Sequence, residues 1–139
     1  MNGAGKNIEE LAERYGLRVI YAFGSRADEA LSFVQGNIDV LIDTPSDLDI
    51  GVLPSEPLTV KEKVEIALFL EDLFSVPRVD LVVLPEAPPY LALKIIEGER
   101  LYARDDHEAS EYELYVMRRA GDLLPVEDKL QRVVLEGRP

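Results

Sequence analysis

Asp47-Leu48-Asp49-Ile50-Gly51-Val52-Leu53 is the stretch on which the reading of this chain turns. It alternates acidic and apolar residues and then becomes continuously apolar, as a strand does when its first residues line a site and the rest enters a core. Residues two apart in a strand face the same way, about 6.6 Å apart along the chain, so Asp47 and Asp49 project together from one surface. Two like charges so placed repel unless a cation sits between them. Hard divalent cations with oxygen ligands, Mg²⁺ above all, meet that need and keep positions open for substrate phosphates. Asp-x-Asp is also common in exposed loops; the apolar continuation through Ile50, Val52 and Leu53 lifts this pair above that background.

Further along, Arg78-Val79-Asp80-Leu81-Val82-Val83-Leu84 lodges a third acid in an otherwise dry strand. An unpartnered carboxylate there costs on the order of several kcal/mol. If the two strands are neighbours, Asp80 joins Asp47 and Asp49; the plain alternative is a strand-end pairing with Arg78. Upstream, Arg18-Val19-Ile20-Tyr21-Ala22-Phe23 has almost no polar face, which suits a strand buried on both sides. It ends in Gly24-Ser25 ahead of a helical segment over 26–34. Glycine lets the backbone approach a ligand, and the following amides and hydroxyl can hold phosphate oxygens, although an ordinary strand-to-helix turn looks the same.

The remaining segments supply the layers. Helical spacing is read over 7–15 with a stop at Gly16, and over 59–74 from Ile66, Phe69, Leu70, Leu73 and Phe74. Pro88 and Pro89 open a helix through Ile96, and Gly98 ends it. An edge strand is expected at 100–104, an amphipathic helix over 108–120 through Tyr112, Tyr115 and Val116, and a last helix from about Val126 with Leu130, Val133 and Val134 on one stripe. Residues 38–42 are read as a strand or an irregular insertion. The alternation of helix and strand predicts an α/β or α+β fold, a mixed sheet flanked by helices. The expected organisation is a single domain over 1–139, with a core over about 7–105 and C-terminal helices over about 106–137.

The chain has 139 residues, 47% of them hydrophobic and 30% charged, which fits a folded protein with a core. Its 15 Lys and Arg against 27 Asp and Glu give a net charge of −12, spread evenly along the sequence. Without a basic arm or face, binding to a nucleic-acid backbone or to anionic lipid is disfavoured. Cysteine is absent, which removes disulfides, thiolate zinc sites and cysteine nucleophiles. No apolar run approaches a membrane span and no leader pattern opens the chain, so a cytoplasmic protein is expected.

In combination, these motifs resemble the nucleotidyltransferase superfamily of DNA polymerase β, and most closely its minimal nucleotidyltransferase (MNT) members. The resemblance is carried by Phe23-Gly24-Ser25-Arg26-Ala27, Ser46-Asp47-Leu48-Asp49-Ile50 and Val79-Asp80-Leu81-Val82, with Gly98 to Asp105 and Tyr112 to Pro125 matching in character. It implies a polymerase β-like fold in which Gly24, Ser25 and Arg26 bind ATP or another nucleoside triphosphate. It further implies that Asp47 and Asp49 hold Mg²⁺ and that Asp80 completes the metal site or deprotonates the acceptor hydroxyl. Two features depart from the family pattern: 21 residues separate Ser25 from Asp47, making Leu31 to Pro45 an insertion, and Asp28-Glu29 stands where Arg-Gly is common.

Small members of this family are often paired with HEPN-domain ribonuclease toxins, which they silence by transferring AMP to a tyrosine. The expected function is therefore Mg²⁺-dependent AMP transfer from ATP to a partner protein, with this chain as antitoxin. A non-catalytic antitoxin acting by stoichiometric binding is the first alternative. Transfer to a small molecule such as an aminoglycoside, in a homo-oligomer, is the second. His107, in Asp105-Asp106-His107-Glu108, reads as part of a solvated helix start, and Tyr102, Tyr112 and Tyr115 as packing residues. Asp39 and Asp43 read as water-facing residues of the insertion, and the spacing from Asp43 to Gly51 does not meet the EF-hand pattern.

Overall fold

Four apolar segments pair into one sheet, in the order β3-β2-β1-β4. The computed structural model describes residues 3–42 and 46–123. In chain order the elements are α1 (Ala4–Tyr15), β1 (Leu17–Phe23), α2 (Ala27–Val34), β2 (Leu48–Pro54), α3 (Val60–Phe74), β3 (Val79–Val83), α4 (Pro89–Ile96), β4 (Glu99–Ala103) and α5 (Asp106–Leu123), with single 3-10 turns at Gly24–Arg26 and Leu84–Glu86. β1 runs antiparallel to both β2 and β4, and β2 runs parallel to β3. The sheet is mixed, as the sequence pattern predicts. The helix expected from Val126, with Leu130, Val133 and Val134, lies outside the described residues.

Alternation along the two central strands builds two cores. Ile20, Ala22, Leu48, Ile50 and Val52 join the buried residues of α1, α2 and α3, where the rings of Phe33 and Phe74 meet at 5.1 Å. Val19, Tyr21, Phe23 and Leu53 join those of α4 and α5. Both faces of β1 and β2 are thus dry, which explains why these strands read as nearly continuous apolar runs. Local signals agree with the layers. Thr59 and Glu62 form a reciprocal capping box at the start of α3, and Gly16, at φ 66°, closes α1 in the left-handed conformation.

Two expectations are corrected. β3 is an edge strand whose Asp80 is exposed, so its carboxylate does not incur the burial cost expected of a dry strand. The strand alternative for 38–42 does not form. That segment is irregular, and side chains of the turn and helix before it take backbone groups at its end: Arg26 donates to the carbonyl oxygen of Ile42 and, just beyond, to that of Ser46, and the Ile42 amide donates to Glu29 at 2.8 Å.

α5 is tied to the sheet by a polar link within the second core. The buried Tyr21 hydroxyl donates to Glu113 at 2.6 Å, and Arg100 on β4 donates to the same carboxylate oxygen at 2.7 Å. Burial first, and then the Glu113 carboxylate, push the pKa of the Tyr21 phenol well up, so it stays a donor at physiological pH.

Gly51 sets the position of α4. A Cβ there would overlap the Cγ2 of Ile95, so the absent side chain is what lets α4 seat directly on β2. Gly51→Ala is therefore expected to destabilise the protein by about 1–3 kcal/mol, the usual cost of overpacking a filled core. Denaturant unfolding would measure it, and an unchanged midpoint would show that α4 is not seated this closely.

Candidate active site

Strand register brings the acids together. At the end of β1, Phe23 pairs with Asp49, and Asp49 pairs in turn with Asp80 across the parallel β2–β3 ladder. Asp49 and Gly51 alternate with Leu48, Ile50 and Val52, so the Asp49 side chain leaves the sheet on the α4 face, where Gly51 meets Ile95. Asp47 lies just before β2, exposed, with its carboxylate 3.8 Å from the Nε of Arg78. The two motifs read from the sequence as acidic strand starts thus meet at one end of the sheet, beside the turn that follows β1.

The electrostatics of Asp49 register that meeting. Its carboxyl pKa is raised, first by burial, then by the charge of Asp80 and then by that of Asp47, while Lys94 opposes the shift. Like charges pressed together beside partial burial form the environment that a bound cation relieves. Among the described residues no three ligand-type side chains form a ready-made metal cage. A magnesium ion does not require one, since it commonly binds through one or two carboxylates and completes its shell with phosphate oxygens and water.

Gly24 has a steric reason to be glycine. Its φ is 77°, and a Cβ there would overlap Oδ2 of Asp49. The backbone of the Gly24–Arg26 turn therefore lies directly against the central carboxylate, with Gly24 and Ser25 exposed. Arg26 behaves differently from its two neighbours. It is buried, and its guanidinium contacts Glu29 and the carbonyls of Ile42 and Ser46, so it is turned toward the insertion and the residue preceding Asp47.

Other residues weighed from sequence stand apart. His107 is exposed in the first turn of α5 and paired with Glu111 one turn on. Tyr102 packs against the first core and Tyr112 against the second, and the rings of Tyr112 and Tyr115 lie 5.8 Å apart, tilted by 38°. Asp39 is exposed on the irregular segment, and Asp43 lies outside the described residues. Lys94 was not singled out from sequence. The signal available was that it is the only charged residue in the helix Pro89–Ile96.

This topology, with the acids at one sheet end beside a Gly-Ser turn, is that of a nucleotidyltransferase. The model of the family described as "Polymerase beta, Nucleotidyltransferase" matches residues 6–107, and the chain belongs to that family. No curated protein sequence matches the chain. Several solved structures share its fold. A mutant of the toxin-antitoxin MntA-HpeT is 19% identical with TM-score 0.66, covering 96% of each chain. A toxin-antitoxin with AMP-PNP is 21% identical with TM-score 0.63, again covering 96% of each. A tri-AMPylated Shewanella oneidensis HEPN toxin in complex with MNT antitoxin is 19% identical with TM-score 0.62, covering 96% of this chain and 94% of that one. Among the described residues no helix is long and apolar enough to cross a membrane.

Two outcomes follow from the geometry. Gly24→Ala combines a strained φ with a clash against Asp49, and should cost about 1–2 kcal/mol while displacing the central carboxylate; thermal unfolding of the variant measures it. For Asp49, a raised native pKa means that stability falls as pH rises from the ordinary carboxylate range through the shifted value. Asp49→Asn should accordingly raise Tm by about 1–2 °C at neutral pH. The gain should shrink on acidification as the wild-type carboxyl takes up its proton, and a gain that persists at acidic pH would count against charge repulsion as its cause.

Proposed function

We propose that this chain is a Mg²⁺-dependent nucleotidyltransferase that moves AMP from ATP to a hydroxyl of a partner protein, and that the partner is a HEPN-type toxin which the chain silences as its antitoxin. The observation that carries this reading is the convergence of Asp47, Asp49 and Asp80 against the Gly24-Ser25 turn. Family membership supports the transfer chemistry. The partner and the donor are supported by the structural neighbours, one an AMPylated HEPN toxin with its MNT antitoxin and one a toxin-antitoxin with an ATP analogue. A donor drawn from the intracellular ATP pool supports a cytoplasmic site of action.

The roles follow from position. The amides and hydroxyl of Gly24 and Ser25 bind phosphate oxygens, and the missing Cβ of Gly24 lets the Asp49 carboxylate lie directly against that turn. Asp47 and Asp49 would hold Mg²⁺, with Asp80 able to complete the set, and the ion would supply Lewis-acid charge to the phosphate oxygens. The acceptor oxygen attacks the α-phosphorus and the bond to the pyrophosphate bridging oxygen breaks. Asp80, the exposed member of the Asp49–Asp80 pair, accepts the hydroxyl proton. Arg26 holds the Ser46 carbonyl and so fixes where Asp47 enters the site. An acceptor with a basic surface suits a chain of net charge −12.

Incubation of the chain with ATP, Mg²⁺ and the toxin should add AMP units to the toxin, read as discrete mass increments. The combined Asp47→Ala and Asp49→Ala variant should lower the rate by about 10²–10³-fold or more. No mass gain with the wild-type chain would refute the transfer reaction. Full silencing of the toxin by the double variant would instead make inhibition stoichiometric.

A further inference from the structure

We propose that Lys94 is the phosphate-contacting cation of this site, its ammonium meeting the triphosphate of the bound nucleotide and the pyrophosphate that leaves. The proposal rests on the nucleotidyltransferase reading and adds the residue that balances the charge of the donor.

The need for such a group comes from the charges already present. A nucleoside triphosphate would be carried to a place held by three carboxylates, and α2 opens beside it with Asp28 and Glu29. Two cations beside these acids are already engaged. Arg26 is buried and spends its guanidinium on Glu29, Ile42 and Ser46. Arg78 stands at the rim beside Asp47. Lys94 is exposed, and its charge acts on Asp49, the central acid.

Packing delivers Lys94 to that position. Ile95 presses onto β2 at the place Gly51 leaves open, and Gly98 brings the end of α4 against Ala22 and Phe23. Both contacts lie within four residues of Lys94, so its backbone is fixed while its flexible four-carbon stem stays free to follow a ligand. When the bond between the α-phosphorus and the bridging oxygen breaks, the electron pair goes to the departing pyrophosphate. The Lys94 ammonium offsets that growing charge by a charge-assisted hydrogen bond.

Equilibrium titrations of the full chain with Mg²⁺·ATP and with AMP separate the possibilities. Lys94→Gln should weaken ATP about tenfold, as expected for loss of one hydrogen bond to a charged group. It should leave AMP within about twofold, because AMP lacks the phosphates that Lys94 is assigned. Lys94→Arg should restore most of the ATP affinity, and Tm should fall by no more than about 1–2 °C in Lys94→Gln and stay unchanged in Lys94→Arg. If Lys94→Gln binds ATP as the wild type does, or loses ATP and AMP equally, the assignment of Lys94 is overturned while the nucleotide site stands. If the wild-type chain binds no Mg²⁺·ATP, both readings fall.

Discussion

The parallel register of β2 on β3 is the constraint on which the site depends. It places Asp49 opposite Asp80, and the antiparallel register of β1 on β2 places Phe23, and with it the turn at Gly24, opposite the same residue. A shift of one residue in either ladder would turn Asp49 to the other face of the sheet and carry Leu48 and Ile50 out of the first core. The hydrophobic pattern that selects the fold therefore also fixes the distance between like charges. Neither could be altered without the other.

Two dry faces hold those charges in place. The core beneath α1, α2 and α3 locks the even-numbered residues of β2, and the core beneath α4 and α5 locks the other side of β1. Glycine enters where backbone or helix must come close: Gly24 beneath the Asp49 carboxylate and Gly51 beneath Ile95. The link from Tyr21 through Glu113 to Arg100 joins β1, α5 and β4 without breaking the apolar layer, since the buried Tyr21 hydroxyl and the Arg100 guanidinium both donate to one Glu113 oxygen. The Asp49 environment is the opposite case. Its charged groups crowd one another, and that repulsion together with partial burial raises the Asp49 pKa at a cost to stability.

Much of this was legible in the sequence because it is local. The period of α3, the prolines opening α4, the glycine stop of α1 and the apolar runs of β1 and β2 are read within a few residues of each other. The meeting of Asp47, Asp49 and Asp80 could be anticipated, as strand pairing needs only a neighbour relation. What could not be read was set by distant partners. The edge position of β3, and hence the exposure of Asp80, depends on sheet order. Lys94 gains its position from Gly51, 43 positions earlier in the chain. Arg26 looked like one more member of the Gly-Ser turn, and its burial is decided by carbonyls 16 and 20 residues away.

The Arg26 clamp has a consequence for how this chain tolerates change. By fixing the carbonyls of Ile42 and Ser46, it pins both ends of the short stretch that leads into β2, and Glu29, in the helix that follows Arg26, secures the Ile42 amide. The span between α2 and that clamp is closed at its base, and closing a longer span adds only about 0.6 kcal/mol for each doubling of its length. Residues could be gained or lost in the span without moving Asp47 and Asp49. The acids are insulated from the loop that precedes them, so that loop can vary in length while the carboxylates stay where the sheet puts them.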